Sequence, residues 1–91
     1  MTDRRKEDLD YIISNKKIRT VFQPIISLRD GSVLGHEALS RITCECEIKN
    51  PAMLFTAAAE YNRLWDLELL CRTTALETAY KFMIPPYGKK L

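Results

Sequence analysis

Four side chains have the types and the spacing to act together on a phosphate-bearing ligand. Glu37, Leu39 and Arg41 alternate along one predicted strand, so the two-residue period of a strand places all three on one face. Gln23 lies in the preceding predicted strand and is a further polar group for the same pocket. A carboxylate such as Glu37 can bind a hard cation, Mg²⁺ or Mn²⁺, while a guanidinium such as Arg41 binds a phosphate beside it.

The same residues have a structural explanation that involves no ligand. A carboxylate on a buried strand must be neutralised, and Arg41 lies four residues from Glu37 on the same face. Spacing alone therefore favours an internal ion pair over a metal site. Gln23 is open to a similar interpretation, as a core amide bonded to the backbone, and His36 on the opposite face is expected to be structural.

Two strands joined by a short turn should carry these residues. Residues 19–28 and 32–42 have strand composition, and Arg29-Asp30-Gly31 between them is typical of a turn. A connection this short predicts an antiparallel hairpin. Pro24 lacks a backbone donor, so the first strand should be irregular there or lie at a sheet edge.

Helices are predicted on both sides of the hairpin. Residues 3–15 form a short helix with one narrow apolar stripe, expected to be a solvated lead-in or a linker from an upstream domain, although the stripe could instead serve a partner helix. Asn50-Pro51 opens a second helix that runs to about Tyr61. A third follows over 64–82, where two apolar stripes predict burial on more than one side and place Trp65 in the core.

Composition excludes several classes of protein. The 91 residues carry a net charge of only +2, too small for the basic face of a nucleic-acid-binding protein. No apolar run is long enough to span a bilayer. An odd set of three cysteines without a signal peptide predicts reduced thiols and a cytoplasmic location. Two of these cysteines lie in Cys44-Glu45-Cys46-Glu47, which we expect to be an exposed acidic loop.

The segments Phe22-Gln23-Pro24-Ile25, Asp30-Gly31 and Gly35-His36-Glu37-Ala38-Leu39-Ser40-Arg41 resemble the opening of the EAL-domain family. Members of that family are bacterial phosphodiesterases that hydrolyse the second messenger cyclic di-GMP. Asn50-Pro51 with Leu54-Phe55, and Leu64-Trp65-Asp66-Leu67-Glu68, are similar to the two helices that follow in the family. The resemblance covers residues 20–91 and leaves residues 1–19 as the lead-in.

The resemblance implies a fold, a reaction and a set of roles. The family fold is a modified TIM barrel whose first strand is antiparallel to the second, so residues 20–91 would be an incomplete, N-terminal part of an α/β barrel. Glu37 would be a catalytic metal ligand, Arg41 would clamp a phosphate, Gln23 would hydrogen-bond near it and Leu39 would contact the ligand. Mg²⁺ or Mn²⁺ would drive two-metal hydrolysis to linear pGpG.

The family's other metal ligands, an Asn, a second Glu and a pair of Asp on later strands, have no counterpart in these 91 residues. We therefore expect the parent domain to be a hydrolase but this chain alone to be inactive. Its uncovered strand edges and helix faces predict self-association. The alternative is a non-catalytic EAL-like module for cyclic di-GMP binding or dimerisation. Neither interpretation involves a nucleic-acid polymer or a membrane.

Overall fold

The computed structural model describes residues 4–82 as a mixed α/β arrangement of three helices and one two-stranded antiparallel sheet. The elements follow the order α1 (Arg4–Ser14), β1 (Ile18–Ile26), β2 (Val33–Ile42), α2 (Pro51–Glu60) and α3 (Leu64–Lys81). The predicted hairpin followed by two helices is thus confirmed. The last nine residues of the segment 20–91 lie outside the described residues.

The turn of the hairpin is stabilised locally by one aspartate. The Asp30 carboxylate accepts hydrogen bonds from the Ser32 amide at 3.0 Å and from the Ser32 hydroxyl at 2.7 Å. Gly31 has a φ of 78°, a conformation that glycine adopts without steric cost. Pro24 lies at a sheet edge, as expected, and pairs with His36, whereas the break in register falls between Ile25 and Ile26.

Helices α2 and α3 begin and end where local chemistry predicts. The side chain of Asn50 accepts a hydrogen bond from the Met53 amide at 2.9 Å, and Pro51 occupies the first turn, where its missing N–H costs nothing. Asn62, with a φ of 58°, reverses the chain between the two helices. The observed bounds lie within one residue of the predicted ones.

Helix α1 is part of the core, so the expectation of a solvated lead-in is wrong. Leu9 and Ile12 are completely buried and cluster with Leu54 and Leu67 from the other two helices. The narrow stripe serves partner helices, because α1 packs against α2 and α3. The boundary at residue 19 itself stays a prediction.

Charged groups reinforce this packing at the start of α3. Arg63 donates to Asp10 on α1 at 2.6 Å and to Asp66 at 2.9 Å, and Lys6 lies 3.3 Å from the same Asp10 carboxylate. Burial acts to raise the pKa of Asp10, but the hydrogen bonds and positive charge of Lys6 and Arg63 outweigh it and hold that pKa below its ordinary value.

Because the pKa of Asp10 is lower in the folded chain, its contribution to stability is present above about pH 4 and is lost as pH falls through the folded value. Asp10→Asn should therefore remove less than about 1 kcal/mol near neutral pH, since the ion pairs are solvent-screened, and should flatten the loss of stability in acid. Urea unfolding of both proteins between pH 2 and pH 7 measures this. Parallel pH curves for the two proteins would contradict it.

Two further expectations are corrected by the packing. Cys44 and Cys46 are half-buried against the core rather than exposed, and the Cys46 thiol donates to the Ile48 carbonyl at 3.2 Å. Burial, followed by the neighbouring Cys46, raises the pKa of the Cys44 thiol. Trp65 is 64% exposed and does not lie in the core. The loop follows the buried Ile48 inward, whereas α3 turns Trp65 away from the other elements.

Candidate functional site

The two faces of the hairpin have different surroundings. The inner face includes Ile18 and Thr20, which are buried, and the hairpin packs against α3. The opposite face is open, and we call it the outer face. The outer face carries Arg19, Val21, Gln23, Glu37, Leu39 and Arg41.

The strand register brings the four predicted site residues together on the outer face. Gln23 pairs directly with Glu37, while Leu39 pairs with Val21 one step along the ladder. Side chains that pair across an antiparallel ladder have Cβ atoms about 4.5–5.5 Å apart. Along β2, Glu37 and Arg41 are separated by about 14 Å, so they can contact different groups of one extended ligand.

The internal ion pair between Glu37 and Arg41, which would explain Glu37 without a ligand, is not formed. Among residues 4–82, Glu37 makes no ion pair, and the Arg41 guanidinium instead donates to the Ser40 carbonyl at 3.1 Å. Both side chains are exposed, so the requirement to neutralise a buried carboxylate does not arise. Gln23 is also exposed rather than a core amide. His36, on the inner face, is exposed as well. The expected buried strand is therefore half open to solvent, which leaves the side chains of Gln23, Glu37 and Arg41 accessible on the outer face.

A second guanidinium on the outer face was missed by the sequence reasoning. Arg19 pairs directly with Arg41, and neither residue makes an ion pair within the described part of the chain. Like charges that face each other across a ladder destabilise a sheet, and an anion bound between them would relieve that repulsion. The position of the turn could have revealed this pair, because a hairpin whose turn is centred on Asp30 places residue 19 opposite residue 41.

A cavity of about 430 Å³ opens where the edge of β2 meets α2 and α3. Leu39 and Arg41 contribute to its wall, but Gln23 and Glu37 do not. Thr20 also lines it, and the buried Thr20 hydroxyl has no hydrogen-bond partner among residues 4–82. The cavity therefore adjoins the end of the outer face that carries Arg41, and the Arg41 side chain lies between the cavity and the outer face.

The donor set at this site fits a cation only in part. Glu37 provides one carboxylate and Gln23 one amide oxygen, and Mg²⁺ is often held by one or two carboxylates together with water and ligand phosphates. Within the described range 4–82, no group of three or more His, Cys, Asp or Glu side chains is arranged to hold a metal ion. A two-metal centre needs additional anionic ligands, so residues 4–82 do not assemble one.

No protein-family model, no curated protein and no solved structure matches this chain. Of the helices in residues 4–82, none combines the length and the apolar character needed to cross a bilayer. The geometry of the outer face and the motifs along β1 and β2 are therefore the features that point to a function.

Proposed function

We propose that this chain provides one wall of a cyclic di-GMP site of the EAL type and is the N-terminal part of an incomplete barrel. One observation carries the proposal: Gln23, Glu37, Leu39 and Arg41 share one face of the antiparallel hairpin, where the three polar side chains are exposed and Leu39 is half-buried. Residues of these types at this spacing form the motif segments that resemble the family. Glu37 and Arg41 do not form an ion pair with each other. Such a pair would have explained the motif without a ligand.

Each side chain has a distinct role in this proposal. Arg41 binds a phosphate of the dinucleotide, because its planar guanidinium offers two parallel donors to phosphate oxygens. Glu37 is a ligand for Mg²⁺ or Mn²⁺, and Gln23 beside it hydrogen-bonds the dinucleotide near a phosphate at the Glu37 end of the outer face. Leu39, packed next to Val21, provides the apolar contact with the dinucleotide.

Hydrolysis belongs to the complete domain rather than to this chain alone. When bound, the divalent metal would activate a water molecule and stabilise charge on the phosphate. The residues of this chain contribute by binding and orienting the dinucleotide. Because one carboxylate does not hold two divalent cations, the purified 91-residue chain is expected to give no metal-dependent production of pGpG above the buffer blank.

The direct test is a titration of the isotopically labelled chain with cyclic di-GMP in the presence of Mg²⁺. We expect backbone amide shifts confined to β1 and β2 around the outer face, with a dissociation constant on the order of 1 mM, since only one wall of the site is present. Inorganic phosphate is the control for unspecific anion binding. Shifts that are absent, that fall outside the hairpin, or that phosphate reproduces in full would overturn the proposal.

The charge of the outer face also favours a second function, binding without hydrolysis. Two guanidiniums, Arg19 and Arg41, share the face with one carboxylate, so the face attracts anions whether or not a metal is held there. The full product of the encoding gene, assayed for binding and for turnover, separates the two functions. Binding accompanied by metal-dependent release of pGpG identifies the enzyme, whereas binding without turnover identifies the cyclic di-GMP-binding module.

A further inference from the structure

Helix α3 carries large apolar side chains on its solvent side. Trp65 is 64% exposed, Leu69 49%, Leu76 44% and Tyr80 69%, and we call these four residues the α3 stripe. With 3.6 residues per turn, they fall within an arc of about 60°. A helix at the surface of a monomer usually presents charged and polar residues there, so a continuous apolar stripe indicates an interaction surface.

The α3 stripe is not the rim of the core. The core side of α3 is marked by Leu67 and Ala79, which are buried, together with half-buried Cys71 and Thr78. The centre of that side lies about 150° around the helix from the centre of the stripe. No rotation of α3 could bury both faces, because their centres point about 150° apart; Leu69 alone of the stripe borders a cavity lined by Ile13 and Lys16 at the end of α1.

The spacing of the α3 stripe is symmetric. Trp65 and Tyr80 lie equally far from the midpoint between Arg72 and Thr73, and Leu69 and Leu76 do so as well. A two-fold interface requires that residue i contact residue j of the second copy while j contacts i. Two antiparallel copies of α3 meet this condition, with Trp65 against Tyr80 and Leu69 against Leu76.

The area is sufficient for such an interface. From their exposed fractions, the four side chains present on the order of 500 Å² per chain, or about 1,000 Å² for two chains. That value, which assumes that all four side chains are fully covered in both copies, meets the threshold of about 1,000 Å² for a biological interface and lies below the standard range of about 1,200–2,000 Å². The two aromatic residues at the ends are of the kind that contributes most of the energy in such contacts.

We propose that the α3 stripe is the interface of an antiparallel, two-fold symmetric homodimer of this chain. The occupant of the stripe is a second copy, because the symmetric spacing has no role in binding an unrelated partner. The helices cross at a small angle of about 20°, since the contact must extend for about 22 Å from Trp65 to Tyr80. Arg72 lies near the two-fold axis and is an exposed residue that also lines the cavity beside Arg41.

The inference is independent of the proposed function, and the oligomeric state of the 91-residue chain tests it. Light scattering should give twice the chain mass of 10.5 kDa. The double variant Leu69→Glu/Leu76→Glu should associate more than about tenfold more weakly and give the mass of one chain, because two pairs of carboxylates would be buried at the interface. Leu34→Glu, on an exposed side chain of the hairpin, is the matched control and should remain dimeric.

A disulfide test reports the antiparallel geometry directly. Thr73→Cys lies beside the two-fold axis and should form a covalent dimer under mild oxidation, with glutathione disulfide as the oxidant. Residue 77 is also exposed, but in the same dimer it would lie about 13 Å along the helix axis from residue 77 of the second copy. Glu77→Cys should therefore form no covalent dimer. The wild-type chain, with its three half-buried thiols, gives the background.

Every substituted side chain is exposed or half-exposed, so each variant should retain the fold. Circular dichroism of each variant checks this. A monomeric wild type would overturn the inference. So would a folded Leu69→Glu/Leu76→Glu variant that remains dimeric, or cross-linking of Glu77→Cys that equals that of Thr73→Cys.

Discussion

Arg41→Glu is expected to weaken cyclic di-GMP binding about 10- to 100-fold, so that no saturation is reached in the titration. The substitution removes a charge-assisted hydrogen-bond donor and places a carboxylate where the phosphate must lie. The side chain is exposed, and its one hydrogen bond is to the Ser40 carbonyl, so the fold should be unaffected. The amide shifts of β1 and β2 in the labelled chain provide the measurement.

Arg19→Glu distinguishes a paired anion site from a single phosphate contact. If Arg19 and Arg41 act on the ligand together, this variant loses affinity to a similar extent, although Arg19 is outside the motif segments. In the free protein it should raise the free energy of unfolding by about 0.2–1 kcal/mol, because a like-charged pair becomes an ion pair. Binding that falls while stability rises is a combination that general damage to the hairpin does not produce.

Arg29→Glu is the matched control for both variants, since Arg29 is an exposed residue of the turn, away from the six outer-face residues. The change in net charge is the same in all three proteins. Equal losses of affinity in all three would show that only long-range charge is sensed, and the assignment of a phosphate to Arg41 would be wrong.

Leu9→Ala is expected to lower the free energy of unfolding by about 3 kcal/mol. Leu9 is completely buried among residues of all three helices, so its truncation leaves a cavity in a small core. Small domains have about 5 kcal/mol of stability in total, so this loss would leave about 2 kcal/mol and raise the unfolded fraction of the chain to a few per cent. Urea unfolding followed by circular dichroism measures the effect.

Tyr11→Ala is the control on the same helix, because Tyr11 is half exposed and lies 6.0 Å from the Lys17 ammonium over its ring. Its loss should cost less than about 1 kcal/mol. If the two variants unfold at the same urea concentration, α1 is not an integral part of the core.

Local chemistry explains the features that were predicted correctly. The turn needs Asp30 to accept hydrogen bonds and Gly31 to adopt a positive φ, and both requirements are visible in the residue types. Asn50 and Pro51 start α2 for reasons that involve only the next three residues. The alternation of Glu37, Leu39 and Arg41 needs only that their segment be a strand, which Val33–Ile42 is.

Long-range packing explains the features that were predicted wrongly. Nothing within residues 4–14 shows that Leu9 and Ile12 would meet Leu54 and Leu67, because those partners are more than forty positions away. Both stripes of α3 are apolar in sequence, and only the position of the other elements buries Leu67 while leaving Trp65 exposed.

The sequence by itself determined the hairpin, its turn, the starts and ends of α2 and α3, and the shared face of Glu37, Leu39 and Arg41. Hydrogen bonds between near neighbours and the two-residue period of a strand are properties of short segments. The tertiary structure decided that α1 joins the core, that Glu37 has no ion pair with Arg41, and that Arg19 lies across from Arg41. Those outcomes depend on which distant surfaces meet, since burial is a property of the assembled chain rather than of any one segment.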